Sequence, residues 1–188
     1  MEEKPVHTVR RLYAWEIREA RRIFADQLDY EAIRIHENAG WTDFVNKIGY
    51  WLRRAPYEAI PNAITLSNHI YFPVKLLESP VSPEHPEHAK IGWLMHELTH
   101  AWHYQRLGWR YLPMALTVQL VKRATAYDFG GEEGLVESSN KGWRLANFNL
   151  EQQGNIARTY YDSLVRRRSV TAWLPFVQEF RERKRGKA

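Results

Sequence analysis

The sequence predicts a mostly helical α+β fold, in which a small antiparallel sheet precedes one long central helix and a second long helix faces it. Three observations carry this. Apolar residues recur at helical spacing over residues 10–24, from about 86 to 108, from 141 to 167 and again after 171. Strand-like alternation is confined to two short stretches, near 32–36 and 63–72. Prolines and glycines mark the breaks between these runs, at Gly40, Pro56, Pro61, the four prolines between 73 and 86, Gly108 and Gly130-Gly131, though Gly142 and Gly154 weaken the run over 141–167.

Taken in order, Leu12, Trp15, Ala20, Ile23 and Phe24 form an apolar stripe among arginines and glutamates, predicting a first helix over residues 10–24. Ala32 to His36 alternates apolar with polar and reads as a short strand. Gly40 breaks the chain, and Thr42 can cap a helix carrying Phe44, Val45, Ile48, Trp51 and Leu52. After the loop bracketed by Pro56 and Pro61, Ile64, Leu66, Ile70 and Phe72 share one parity. That predicts one strand over Ala63–Phe72, or two bent at Ser67-Asn68. Four prolines between 73 and 86 mark a loop, and the central helix runs from Pro86 or Glu87 to Gly108, a good helix stop. Pro113 opens a further helix to about Ala126. Asp128 to Gly134, rich in glycine, is expected to be a loop. A long helix follows over 141–167, and a last amphipathic helix after Thr171 turns Trp173, Phe176, Val177 and Phe180 inward.

With 188 residues, 44% of them apolar and 26% charged, the chain is expected to form one globular domain over residues 1–188. Its 8 Trp, 10 Tyr and 7 Phe favour a well-packed core. There is no cysteine, which excludes disulfide scaffolds, thiolate metal sites and cysteine nucleophiles, so any metal must be held by His, Asp or Glu. The charged N-terminus has no signal-type apolar run, and the longest apolar stretch, Tyr111 to Val121, is broken by Pro113, Thr117 and Gln119. No membrane span is therefore expected; the chain is read as cytoplasmic, or exported without a classical signal peptide. The net charge of +5 owes much to Arg166-Arg167-Arg168 and to residues 181–188, read as a basic, disordered tail. No nucleic-acid motif accompanies the charge, so nucleic acid is not an expected partner.

The chemistry concentrates in HELTH, residues 96–100. Residues four apart share a helix face about 6 Å apart along the axis, so His96 and His100 can aim imidazole nitrogens at one cation from adjacent turns. Glu97 is rotated off that line but stays beside it. It is placed to take a proton from a water whose pKa the metal lowers toward about 7. Two histidines need a third ligand. His103 lies seven residues beyond His96, a rise of roughly 10 Å, too far for one straight helix. His103 is instead read as facing substrate or the surface. His85 and His88 are poor for the same reason, and the spacing of His36 and His69 demands nothing. Glu151 is favoured: Gly154, one turn on, lets another helix approach, and Asn155 is placed to hydrogen-bond a ligand. Asp128, Glu132, Glu133 and Glu137 are the alternatives. Tyr127, His103 and Tyr161 are candidates to stabilise an oxyanion.

The sequence resembles the zincin superfamily of metallopeptidases, in its glutamate-ligand branch. It is more closely similar to short peptidase domains associated with extracellular contractile injection and Rhs-type toxin systems. The matching pieces are Arg34-Ile35-His36, Ala63 to Phe72, and His96 to Gln105, within a likeness over roughly residues 25 to 165. The resemblance implies a minimal zincin-like fold, zinc held by His96 and His100, and Glu97 as base and acid. It also implies a cleft-lining strand near Ile64–Phe72 that pairs with an extended peptide. The expected partner is a protein or peptide substrate, within a secretion or toxin system. The contrasting expectation is a zincin-like binding or scaffold module without activity.

Overall fold

The computed structural model describes residues 5–40, 63–108 and 127–182. Its elements are β1 (Thr8–Arg10), α1 (Ala14–Phe24), β2 (Arg34–Glu37), β3 (Ile64–Leu66), β4 (His69–Tyr71), α2 (Ala89–Leu107), α3 (Gly131–Asn140), α4 (Leu150–Val165) and α5 (Leu174–Arg181). The helices expected after Thr42 and after Pro113 lie outside the described residues, as does most of the expected basic tail. The fold is α+β and mostly helical, with α2 lying between the sheet and α4.

The N-terminal helix starts later than its apolar stripe predicts, because Thr8–Arg10 is a strand. The Arg10 guanidinium forks onto Glu16 of α1 at 2.7 and 2.9 Å and reaches Glu37 of β2 at 3.0 Å. Both carboxylates are buried. Glu16 also accepts the Tyr13 N–H at 2.8 Å, which caps α1, while Glu37 accepts the Leu76 N–H at 3.2 Å. One partly buried cation thus ties β1, α1 and β2 together.

The four strands are ordered β1-β2-β4-β3. The sheet is mixed rather than wholly antiparallel. β1 with β2 and β3 with β4 are antiparallel, but β2 and β4 are parallel, with Ile35 opposite Ile70. Parallel pairing requires a crossover of a dozen or more residues, and the chain between β2 and β4 exceeds that. The 63–72 stretch is two strands bent at Ser67, whose φ is +58°. The parity expected for the first of them is reversed: Thr65 points inward and Leu66 is 43% exposed.

α2 is buried on most of its surface, through Ile91, Leu94, Met95, Leu98, Ala101 and Trp102 and through five polar residues of its middle. Burial on most of its faces gives α2 a core position, with its polar residues turned to partners inside the fold. Gly108, at φ +61°, ends it. Beneath it Phe180 of α5 packs edge-on against Phe24 and Trp102, at 5.5 and 5.0 Å between ring centroids.

Two boundaries differ from expectation. The Gly-rich stretch is a loop only up to Gly130; α3 begins at Gly131, anchored by fully buried Leu135 and begun by Glu132 and Glu133, which suit a helix N-terminus. The long helix of 141–167 begins only at Leu150. Asn149 caps it, its side chain accepting the Gln152 N–H at 2.9 Å while Gln152 returns the bond at 3.0 Å. Gly142, at φ +72°, and a 3-10 turn at Leu145–Asn147 occupy the preceding residues. At the far end Arg181, expected in the tail, closes α5 and donates to the Tyr160 hydroxyl at 3.2 Å. No described helix is long and apolar enough to cross a membrane.

Candidate metal centre

Where α2 crosses α4, His96, His100 and Glu151 come together, all buried. His96 Nε2 lies 3.2 Å from Glu151 Oε2, His100 Nε2 lies 3.2 Å from His96 Nε2, and His100 Nε2 lies 3.5 Å from Glu151 Oε2. The approach of the helices depends on Gly154. A methyl group there would stand 2.7 Å from two atoms of the His96 ring and 2.9 Å from a third.

Asn155 fixes the His96 ring. Its amide nitrogen donates to the Tyr127 carbonyl at 2.9 Å, so its Oδ1 faces His96 Nδ1, which donates to it at 3.1 Å. The Nε2 of a neutral His96 is then a bare lone pair, set against a carboxylate oxygen that can only accept. That contact is repulsive unless a positive charge sits between the atoms. Two species can supply it, a proton or a cation. A charge-assisted N–H···O bond closes to about 2.7–2.9 Å. The three observed separations are longer than that, and the donor set could hold a divalent cation.

The electrostatics agree with a charged centre. Burial acts to lower the His100 pKa, but the Glu151 carboxylate, with a smaller contribution from Glu97, outweighs it and the net shift is upward. Burial likewise acts to raise Glu151, yet the two imidazoles hold its carboxyl far below the usual range.

Glu97 is buried beside this cluster rather than in it. Its Oε2 accepts a hydrogen bond from Thr65 Oγ1 at 2.7 Å, across from β3. Thr65 went unrecognised in the sequence, where its parity put it on the outer face. The signal available was a hydroxyl within an otherwise apolar strand.

The remaining sequence candidates separate clearly. His103 is buried and its Nε2 donates to Gln153 Oε1 at 2.7 Å, so it does not face substrate or the surface. Burial, chiefly, keeps it neutral, with its pKa lowered to about 4. Tyr127 is 42% exposed, with its ring centroid 6.2 Å from that of His96, at the rim of the site. Tyr161 is buried and donates to Glu19 at 3.3 Å, which removes it as an oxyanion donor. Among the described residues, Asp128, Glu132, Glu133 and Glu137 join no ligand cluster; Asp128 instead accepts the Gly130 N–H at 2.8 Å.

Fold and site together define an α+β protein with a His-His-Glu cluster shared by two facing helices. The chain is similar to the type VI secretion system spike protein VgrG2b of Pseudomonas aeruginosa, 26% identical over 159 residues that cover 81% of this chain. It spans 13% of that protein's length. No family model and no solved structure matches it.

Proposed function

We propose that the protein is a zinc-dependent metallopeptidase of zincin type, associated with a secretion system. The observation that carries this reading is the convergence of three buried ligand atoms within 3.5 Å of one another, with a separate buried carboxylate next to them. The similarity to a secretion-system spike protein supports the setting.

His96, His100 and Glu151 would hold the ion. When bound, zinc polarises a carbonyl and brings the pKa of water toward about 7. Glu97 takes the proton from the attacking water as its oxygen bonds to the carbonyl carbon. It then passes that proton to the amide nitrogen as the C–N bond breaks, so one carboxylate serves as base and acid. Asn155 keeps the His96 lone pair turned toward the ion. β3 is the outermost strand on its side of the sheet and lies against α2. Among the described residues its outer edge carries no further strand, and an extended peptide can add along it by main-chain hydrogen bonds. Tyr127, exposed beside His96, is placed to touch what binds there.

The test is cleavage of a denatured protein substrate by zinc-loaded wild type, Glu97→Gln and His96→Ala. The expected result is that wild type cleaves, Glu97→Gln keeps zinc but loses at least about 100-fold in rate, and His96→Ala loses both. Equal cleavage by wild type and Glu97→Gln would contradict the assignment of Glu97. A zinc-loaded wild type that cuts nothing while the fold and the ion stay in place points to a scaffold module instead.

A further inference from the structure

Thr65 occupies the inward position of β3, opposite Ile70, which is fully buried. Strand side chains alternate, so placing Thr65 inward turns Leu66 out to 43% exposure. Apolar burial alone would favour the other register. A buried carboxylate without a hydrogen-bond donor is costly, however, and Glu97 is such a carboxylate. Among the described residues Thr65 is the side chain that donates to it, at 2.7 Å. The same hydroxyl lies 3.4 Å from the Glu97 carbonyl, so it sits over the turn of α2 that carries the motif.

We propose that Thr65 is a positioning residue, coupling the strand that receives the substrate peptide to the carboxylate that moves the proton. This rests on the metallopeptidase reading above. Thr65 engages Oε2, and among the described residues no side chain donates to Oε1, so one oxygen is committed and the other can accept the proton. A β-branched side chain is stiff at χ1, so the hydroxyl keeps its direction without further support. The outer edge of β3, which no other strand pairs among the described residues, is the edge a peptide would lengthen the sheet along. Backbone pairing there steadies Thr65, and through it Glu97. A purely structural threonine would satisfy the same buried carboxylate but would have no bearing on how an acidic ligand gives up its proton at the site.

The experiment measures the affinity of acetohydroxamic acid, by calorimetry, for zinc-loaded wild type, Thr65→Val, Thr65→Ser and Glu97→Gln, with zinc content and thermal midpoint recorded for each. A hydroxamate must surrender a proton as it chelates, and Glu97 is the base beside the ligand cluster. Expected are weakening of about tenfold or more in Thr65→Val and in Glu97→Gln, recovery to within about threefold of wild type in Thr65→Ser, and one zinc per chain throughout. Should Thr65→Val fail to fold, Thr65→Ala removes the same hydroxyl and is read in its place. Wild-type affinity in the variant lacking the hydroxyl, with Glu97→Gln weakened, overturns the role of Thr65 alone. Absence of hydroxamate binding by zinc-loaded wild type overturns the metallopeptidase reading, and this proposal with it.

Discussion

Gly154 shows how closely the centre is built at the level of single residues. A Cβ at this position falls inside contact distance of three atoms of the His96 ring, and a ring held by Asn155 cannot swing aside without losing its direction. Gly154→Ala should therefore weaken zinc binding by at least about tenfold. The same change favours the helix by about 1 kcal/mol, so the metal-free protein should not be destabilised in proportion. Competition titration with a chromophoric chelator, alongside denaturant unfolding of the metal-free chain, separates the two. Unchanged affinity would mean that the helices can part at no cost. Much of this neighbourhood was legible in the sequence. His96, Glu97 and His100 lie on one helix, and Glu151, Gly154 and Asn155 on another, so helical spacing alone relates the members of each group. Thr65 was not legible, because its partner is fixed by how a strand lies across a helix 32 residues away. His103 misled for a related reason: spacing ruled it out as a ligand but could not say that Gln153 would bury it.

The elements are held in relation by buried polar contacts as much as by apolar area. Arg10 joins β1 to Glu16 of α1 and Glu37 of β2, both buried. Removing the cation alone leaves two carboxylates without their charge partner, a loss of about 3–5 kcal/mol. Arg10→Ala should lower the free energy of unfolding by that amount in denaturant titrations. Arg10→Lys should recover only part of it, since an ammonium cannot fork onto two groups. A change below about 1 kcal/mol in Arg10→Ala would show the contact to be incidental. β1 was hidden for a related reason: an apolar stripe continuing through Leu12 reads as helix, whereas Thr8–Arg10 joins the sheet through backbone pairing with β2 and the Arg10 ion pairs, both tertiary. The same kind of tertiary influence explains α3. Three glycines argue for a loop by propensity, but burial of Leu135 outweighs them. Sheet direction depends on which strands the chain brings side by side, and residues 32–36 and 63–72 do not carry that information by themselves.

For the whole molecule, an ion held by His96, His100 and Glu151 would be a cross-link between α2 and α4, the two helices that pack against each other at the cluster. An ion bound to the folded state alone stabilises it by mass action, by about 2.7 kcal/mol at a free concentration 100 times Kd. For a chain of this size that corresponds to a rise in Tm of about 5–10 °C. Chelation should lower the midpoint by as much in wild type and leave His100→Ala unaffected, as followed by circular dichroism. A shift of equal size in both would place the stabilising ion elsewhere. The general architecture was readable from periodicity and breakers, since a mostly helical chain with one small sheet follows from where each pattern occurs. That Glu151, rather than one of four other carboxylates, would join the two histidines depends on where α4 crosses α2 at Gly154, which spacing along the chain does not give.

The most direct test is to count the ion. Zinc measured by elemental mass spectrometry in protein dialysed against trace zinc should be one per chain in wild type and in Glu97→Gln, and nearly absent in His96→Ala, His100→Ala and Glu151→Gln. Wild type without zinc, or zinc retained in full after His96 or Glu151 is replaced, would contradict the account at its foundation.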